Sequence, residues 1–243
     1  MKKYVNLFVF VFMVGACFSQ GKAQTKSAVS YKNPVVDIAM PDPTVIKAAD
    51  GYFYMYATES TRNVPIMKSK DLVEWTYCNT AFTNKTRPRF EPKAGIWAPD
   101  INYINGKYVL YYAMSVWGGE QTCGIGVATA NSPQGPFTDH GKMLRSNEIG
   151  VQNSIDPSLL QYEGRNYLVW GSFRGIYVIE LTADGLSIMP GAKKKRIAGT
   201  AFEAVYIHKH DDYYYMFASI GSCCQGVKST YKVVVGRSKK VWG

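Results

Sequence analysis

No helical period runs far along this 243-residue chain, which excludes an all-helical fold. Its five cysteines form no C-x-x-C pair and its three histidines do not interleave with them, which argues against a thiolate zinc site. The apolar run from about Val5 to Ala16 is too short to span a bilayer. Acids are the minority charge, 18 Asp and Glu against 28 Lys and Arg, for a formal net charge of +10. Such an excess of base suits nucleic acid, but the densest run, Lys193 to Arg196, follows the turn signals Asp184-Gly185 and Pro190-Gly191. It reads as a solvated outer-strand edge, where lysine discourages edge pairing.

The first residues read as an export signal. Lys2 and Lys3 precede the apolar run, and Gly21 and Ala23 have the small-residue spacing of a cleavage site, giving a signal peptide over 1–23 and a mature domain over 24–243. A second reading stands beside it: Val14-Gly15-Ala16-Cys17 resembles a bacterial lipoprotein box in which Cys17 is lipidated. Both place the domain outside the cytoplasm of a bacterium, whether periplasmic, extracellular or anchored to the outer membrane. Membrane association enters only through Cys17, and an exported protein has no nucleic-acid partner. In an oxidising compartment Cys78, Cys123, Cys223 and Cys224 are an even set, with pairing left open.

The few acids recur in register. Four times an acid opens a run of β-branched, Leu and Tyr residues, turns at Gly or Asp, and returns as an aromatic run ending in a small residue: DPTVIKAADGYFYMYAT from Asp42, DINYINGKYVLYYAMS from Asp100, DPSLLQYEGRNYLVWGS from Asp156 and EAVYIHKHDDYYYMFAS from Glu203. The starts lie about 58, 56 and 47 residues apart, the spacing of β-propeller blades. Inner strands of blades line a central channel, so first residues of successive inner strands converge at one rim. Alternating segments such as RGIYVIELTADGLSIM supply third and fourth strands. The fourth unit reaches only a third strand, for about three and three-quarter blades of an incomplete all-β propeller.

Carboxylates gathered at a channel mouth shift one another's pKa values, which suits acid–base chemistry. Asp and Glu at strand starts also cap turns, and Asp-Pro is ordinary turn punctuation. Matched placement in successive repeats favours the chemical reading.

These segments, with GIWAPDI around Trp97, NSIDPSLL around Asp156 and FEAVYI around Glu203, resemble glycoside hydrolase family 43, a family of five-bladed propellers, which implies that the last blade is absent here. Gly221 to Ser238 resembles its arabinan-degrading members. The resemblance implies an endo-1,5-α-L-arabinanase, a secreted polysaccharide-degrading glycosidase acting on plant cell-wall arabinan or a related pentose polysaccharide. It implies Asp42 as general base, Glu203 as general acid and Asp156 as the residue that orients Glu203 and raises its pKa. Trp97, Trp117 and Asn153 become substrate-binding candidates. No cofactor is required; the family fold allows a calcium in its channel, although these residues supply no metal ligand set. With blades one and four facing each other across the channel, inversion is expected, which needs carboxyl groups roughly 6.5–9.5 Å apart. Alternatives are an exo-acting α-L-arabinofuranosidase or β-xylosidase of the same family, or a non-catalytic glycan-binding propeller. Asp100 matches no catalytic role and is assigned structural hydrogen bonding, and His208 and His210 fall on the outward face of their strand. The basic charge leaves open an attraction to acidic pectic polymers.

Overall fold

Each repeat becomes the inner hairpin of an antiparallel sheet in the computed structural model, which describes residues 30–243; the signal segment 1–23 and Cys17 lie outside the described residues. The first sheet runs β1 (Thr44–Lys47), β2 (Phe53–Tyr56), β3 (Pro65–Ser69) and β4 (Thr76–Thr80). The second holds β5 (Gly95–Ile104), β6 (Lys107–Ser115), β7 (Gly124–Ala130) and β8 (Thr138–Arg145), followed by one helical turn, α1 (Ser146–Ile149). The third holds β9 (Ser158–Tyr162), β10 (Arg165–Trp170), β11 (Ile176–Leu181) and β12 (Lys195–Ala198). In the fourth, β13 (Glu203–His210), β14 (Tyr213–Ile220) and β15 (Lys232–Ser238) make three strands. These are four propeller blades, with strand order following chain order in each. The basic run ends on β12, the outermost strand of its sheet, as its reading as an edge requires.

Tight turns set the register. Ile104 pairs with Lys107 across Asn105-Gly106, both with positive φ, and Tyr162 pairs with Arg165 across Glu163-Gly164, again both positive. Two such residues match the right-handed twist of the flanking strands.

The core is divided among the seams between sheets. Tyr54, Ile66 and Phe82 of the first sheet and its flank pack with Ile96, Leu110 and Tyr112 of the second. Tyr111 and Ile125 meet Leu168, Trp170 and Ile179 of the third. Val169 and Val178 meet Val205, Ile207 and Ala218 of the fourth. Tyr111 and Tyr112 are neighbours pointing to opposite faces, so β6 serves two seams and is buried from Tyr108 to Ser115. That is why its sequence is a continuous apolar run instead of an alternating one. The fourth sheet differs: Tyr206, Phe217, Val233 and Val235 stand exposed on it, with Phe217 paired to both Tyr206 and Val235.

Asp100 knits three blades. Its Oδ1 accepts from the Thr44 hydroxyl at 3.4 Å, and its Oδ2 accepts from Asn102 Nδ2 at 2.7 Å and from the Leu159 N–H at 2.8 Å. Burial raises its pKa from 3.8 to about 6, partly offset by these three donors. This is the structural role expected of it. Cys223 and Cys224 are joined to each other, whereas Cys78 and Cys123 are free thiols.

Candidate active site

The acids do not occupy one repeat position. A left-handed backbone step recurs at Asp42, Ala98, Asp156 and Ala204, with φ of 51°, 39°, 58° and 53°. Each lies two residues before the strand residue, Thr44, Asp100, Ser158 or Tyr206, at which regular pairing starts or resumes. Asp42 and Asp156 are therefore equivalent, Asp100 falls two residues later, and Glu203 falls one residue earlier, where the second blade has Trp97. The reason is a register shift in β5 between Trp97 and Asp100 and another in β13 between Glu203 and Tyr206. A bulge inserts residues that alignment by acid cannot see. Asp100 is thereby turned into the blade packing.

A hydroxyl braces each of two acids. The Ala98 N–H donates to Thr58 Oγ1 at 2.7 Å, and Thr58 donates its own proton to Asp42 Oδ2 at 2.6 Å. An N–H can only donate, so the hydroxyl proton is left for the carboxylate. Asp42 is otherwise exposed to solvent. The same logic recurs at Glu203. Asn153 Nδ2 donates to the Ser172 carbonyl at 3.2 Å and to Ser172 Oγ at 2.9 Å, and Ser172 donates to Glu203 Oε2 at 2.6 Å. The carbonyl accepts only, which fixes the Asn153 amide and hence the direction of the Ser172 proton.

Between these clusters lies Asp156, half-buried. Its carboxyl is pushed well above the usual range, first by burial, then by the charge of Glu203, then by that of Asp42. The like-charge effect expected from the sequence thus appears on Asp156. Both other acids act on it, which brings the three predicted residues into one electrostatic group. Tyr231 adjoins them: burial raises its phenol, Ser219 acts against this, and Glu203 and Asp156 raise it further.

Trp97 and Trp117 face each other with ring centroids 5.7 Å apart, Trp97 half-buried against Ala113, Cys123 and Ile155 and Trp117 78% exposed. A Cβ on Gly95 would lie 2.4 Å from Trp97 Nε1, so only glycine leaves the indole its place. Asn153 is tied behind the acid rather than presented alone to a sugar. His208 and His210 are exposed on β13, on the outward side expected. Among the described residues no three of His, Cys, Asp and Glu are grouped as metal ligands.

Thr58, Ser172 and Tyr231 were not singled out by sequence reasoning. A signal existed for two of them: the small residue closing each aromatic run is a hydroxyl in all four repeats, Thr58, Ser115, Ser172 and Ser219.

The family model for glycosyl hydrolases family 43 matches residues 31–243. The chain is 38% identical over 216 residues to an extracellular endo-α-(1→5)-L-arabinanase of Bacillus subtilis, covering 83% of this chain and 66% of that protein. It is 35% identical over 231 residues to an extracellular exo-α-(1→5)-L-arabinofuranosidase of Cellvibrio japonicus, covering 83% of this chain and 65% of the relative. The chain thus spans less than two thirds of the length of these relatives. The solved α-L-arabinanase of Cellvibrio cellulosa complexed with arabinohexaose superposes with a TM-score of 0.75 at 31% identity, over 85% of this chain and 72% of that one.

Proposed function

The chain belongs to glycosyl hydrolases family 43, and we propose that it cleaves α-1,5 linkages between L-arabinofuranose units of arabinan with inversion at the anomeric carbon. The observation that carries this reading is Asp156, whose carboxyl feels Glu203 and Asp42 together. In the proposed reaction Glu203 gives its proton to the glycosidic oxygen as the bond to the anomeric carbon breaks. Asp42, open to solvent, takes a proton from the water that attacks the opposite face. Ser172 occupies Glu203 Oε2, which leaves Oε1 to carry the transferred proton. Thr58 holds Asp42 in place by Oδ2 and leaves Oδ1 for the water. The water oxygen becomes bonded to the anomeric carbon as the leaving sugar departs with the proton from Glu203, a displacement in which no electron is transferred to or from the protein. Trp97 and Trp117 offer apolar faces for furanose rings. The extracellular relatives support a place of work outside the cytoplasm.

Incubation of the purified chain with linear 1,5-α-arabinan tests the reading. A spread of short oligosaccharides released as the inverted anomer, lost by at least about 100-fold in Glu203→Ala and Asp42→Asn, is expected. Release of a single short product from the chain end would assign the exo action of the Cellvibrio japonicus relative instead. Binding of arabinan without turnover by the folded wild type would leave a glycan-binding module.

A further inference from the structure

A cleft of about 320 Å³ opens between the loop joining β2 to β3 and the segment joining β4 to β5, lined by Arg62, Arg87, Arg89, Glu91, Lys93 and Met114 with neighbouring prolines. It adjoins the Asp42 brace. Glu59 follows Thr58 directly in the chain and accepts the Ile96 N–H at 3.0 Å, one residue before Trp97.

The charges in the cleft are unequal in what they have left to give. Arg87 is consumed: its guanidinium grips both oxygens of Glu59 and also donates to Asn63 and the Ala94 carbonyl. Burial alone would push the Glu59 carboxyl up, but Arg87 and the Asn63 and Ile96 N–H groups outweigh it and hold the carboxyl below its usual range. Glu91 is likewise engaged, by Arg145 and by the Thr122 hydroxyl. Arg62, Arg89 and Lys93 have no acidic partner among the described residues. Two of them are nevertheless braced on one residue: Arg62 Nε donates to Asn84 Oδ1 at 3.1 Å and Arg89 Nη2 to the Asn84 carbonyl at 2.9 Å. Both Nη groups of Arg62 and Nη1 of Arg89 stay open. The site is three unspent cations over a floor of neutralised ion pairs.

A neutral pentose polymer offers nothing for such charges to hold. We propose that this cleft is a second binding site, for a carboxylated sugar, the unit that would adjoin arabinan where it is attached to an acidic polysaccharide. Guanidinium forks match a carboxylate in plane. The volume sits at the lower end of the range of small-molecule sites, the size of a single sugar. Pro92, exposed at the cleft, gives it an apolar edge for the C–H face of a pyranose, which an inorganic ion would not use. The biological setting rests on the arabinan reading; the binding itself does not, and it is measured without turnover.

Titration calorimetry with tri-galacturonate, with neutral arabinotriose and with inorganic phosphate tests it on the whole chain. Tri-galacturonate is expected to bind, arabinotriose not to compete with it, and phosphate to bind more weakly. In Arg62→Gln/Arg89→Gln, and independently in Lys93→Gln, tri-galacturonate binding should weaken roughly 10-fold or more. All these residues are exposed, so neutral arabinan turnover and the folded circular dichroism should not change. Absence of tri-galacturonate binding to the wild type, undiminished binding in both variants, or phosphate matching the sugar would each overturn the proposal.

Discussion

At Ser172 a single proton has one available direction. Because Asn153 already donates to its oxygen, the hydroxyl must donate to Glu203 Oε2. That oxygen therefore acts as an acceptor, and a proton carried by Glu203 belongs on Oε1. Ser172→Ala should lower kcat on arabinan about 10- to 100-fold, the scale of a hydrogen bond to a charged group, with little change in KM. An aryl arabinoside with a nitrophenolate leaving group needs no protonation and should lose far less. Ser172→Thr, which keeps the hydroxyl, should recover most of the rate. Equal losses on both substrates would mean that the serine only supports packing. Thr58 is the counterpart at Asp42, whose exposed setting leaves this hydroxyl as its only protein donor among the described residues.

At the scale of the strand, bulges decide which acid does what. Asp100 opens its repeat as Asp156 does, yet the shift in β5 turns it into the contact with Thr44 and Leu159. A carboxyl raised from 3.8 to about 6 in the fold favours the protonated form there. Its contribution to stability is full below about pH 4 and is lost as pH rises through about 6, a fall on the order of 3 kcal/mol. Urea titrations across that window should show the decline in the wild type and a flatter profile in Asp100→Asn; an unchanged slope would assign the decline to other groups. Much of this was legible in the sequence. The hairpins, their Gly and Asp turns and the outer basic strand follow from alternation and repetition, whereas the choice of Asp42, Asp156 and Glu203 over Asp100 comes from the resemblance to family 43. What was not legible is what bulges and hydrogen bonds between distant residues decide: the offset of Glu203 onto the Trp97 position, and the pairing of Ser172 with an acid 31 positions along the chain. The joining of Cys223 to its immediate neighbour was likewise left open.

Across the molecule, cohesion passes from sheet to sheet through three apolar seams. The second and third sheets are each held on two sides. The fourth has one seam, three strands, and Val233 and Val235 exposed at 66% and 60%. Arrays bonded only to neighbours open from their weakly held members. Native-state hydrogen exchange should therefore find amides of β14 and β15 opening at free energies a few kcal/mol below those of β6. A single common opening free energy in all four sheets would show that the seams act as one unit.

The same serial arrangement governs the chemistry. Asp42 leads into the first sheet and Glu203 opens the fourth. In the proposed reaction the gap between Asp42 as base and Glu203 as acid is therefore set like the last dimension in a stack of machined parts, where every seam adds its own tolerance. A tilt too slight to disturb any one interface is carried forward three times before it reaches the water and the glycosidic oxygen. Warming would then blur the alignment of the two carboxyls, and with it the rate, at temperatures where every strand is still paired.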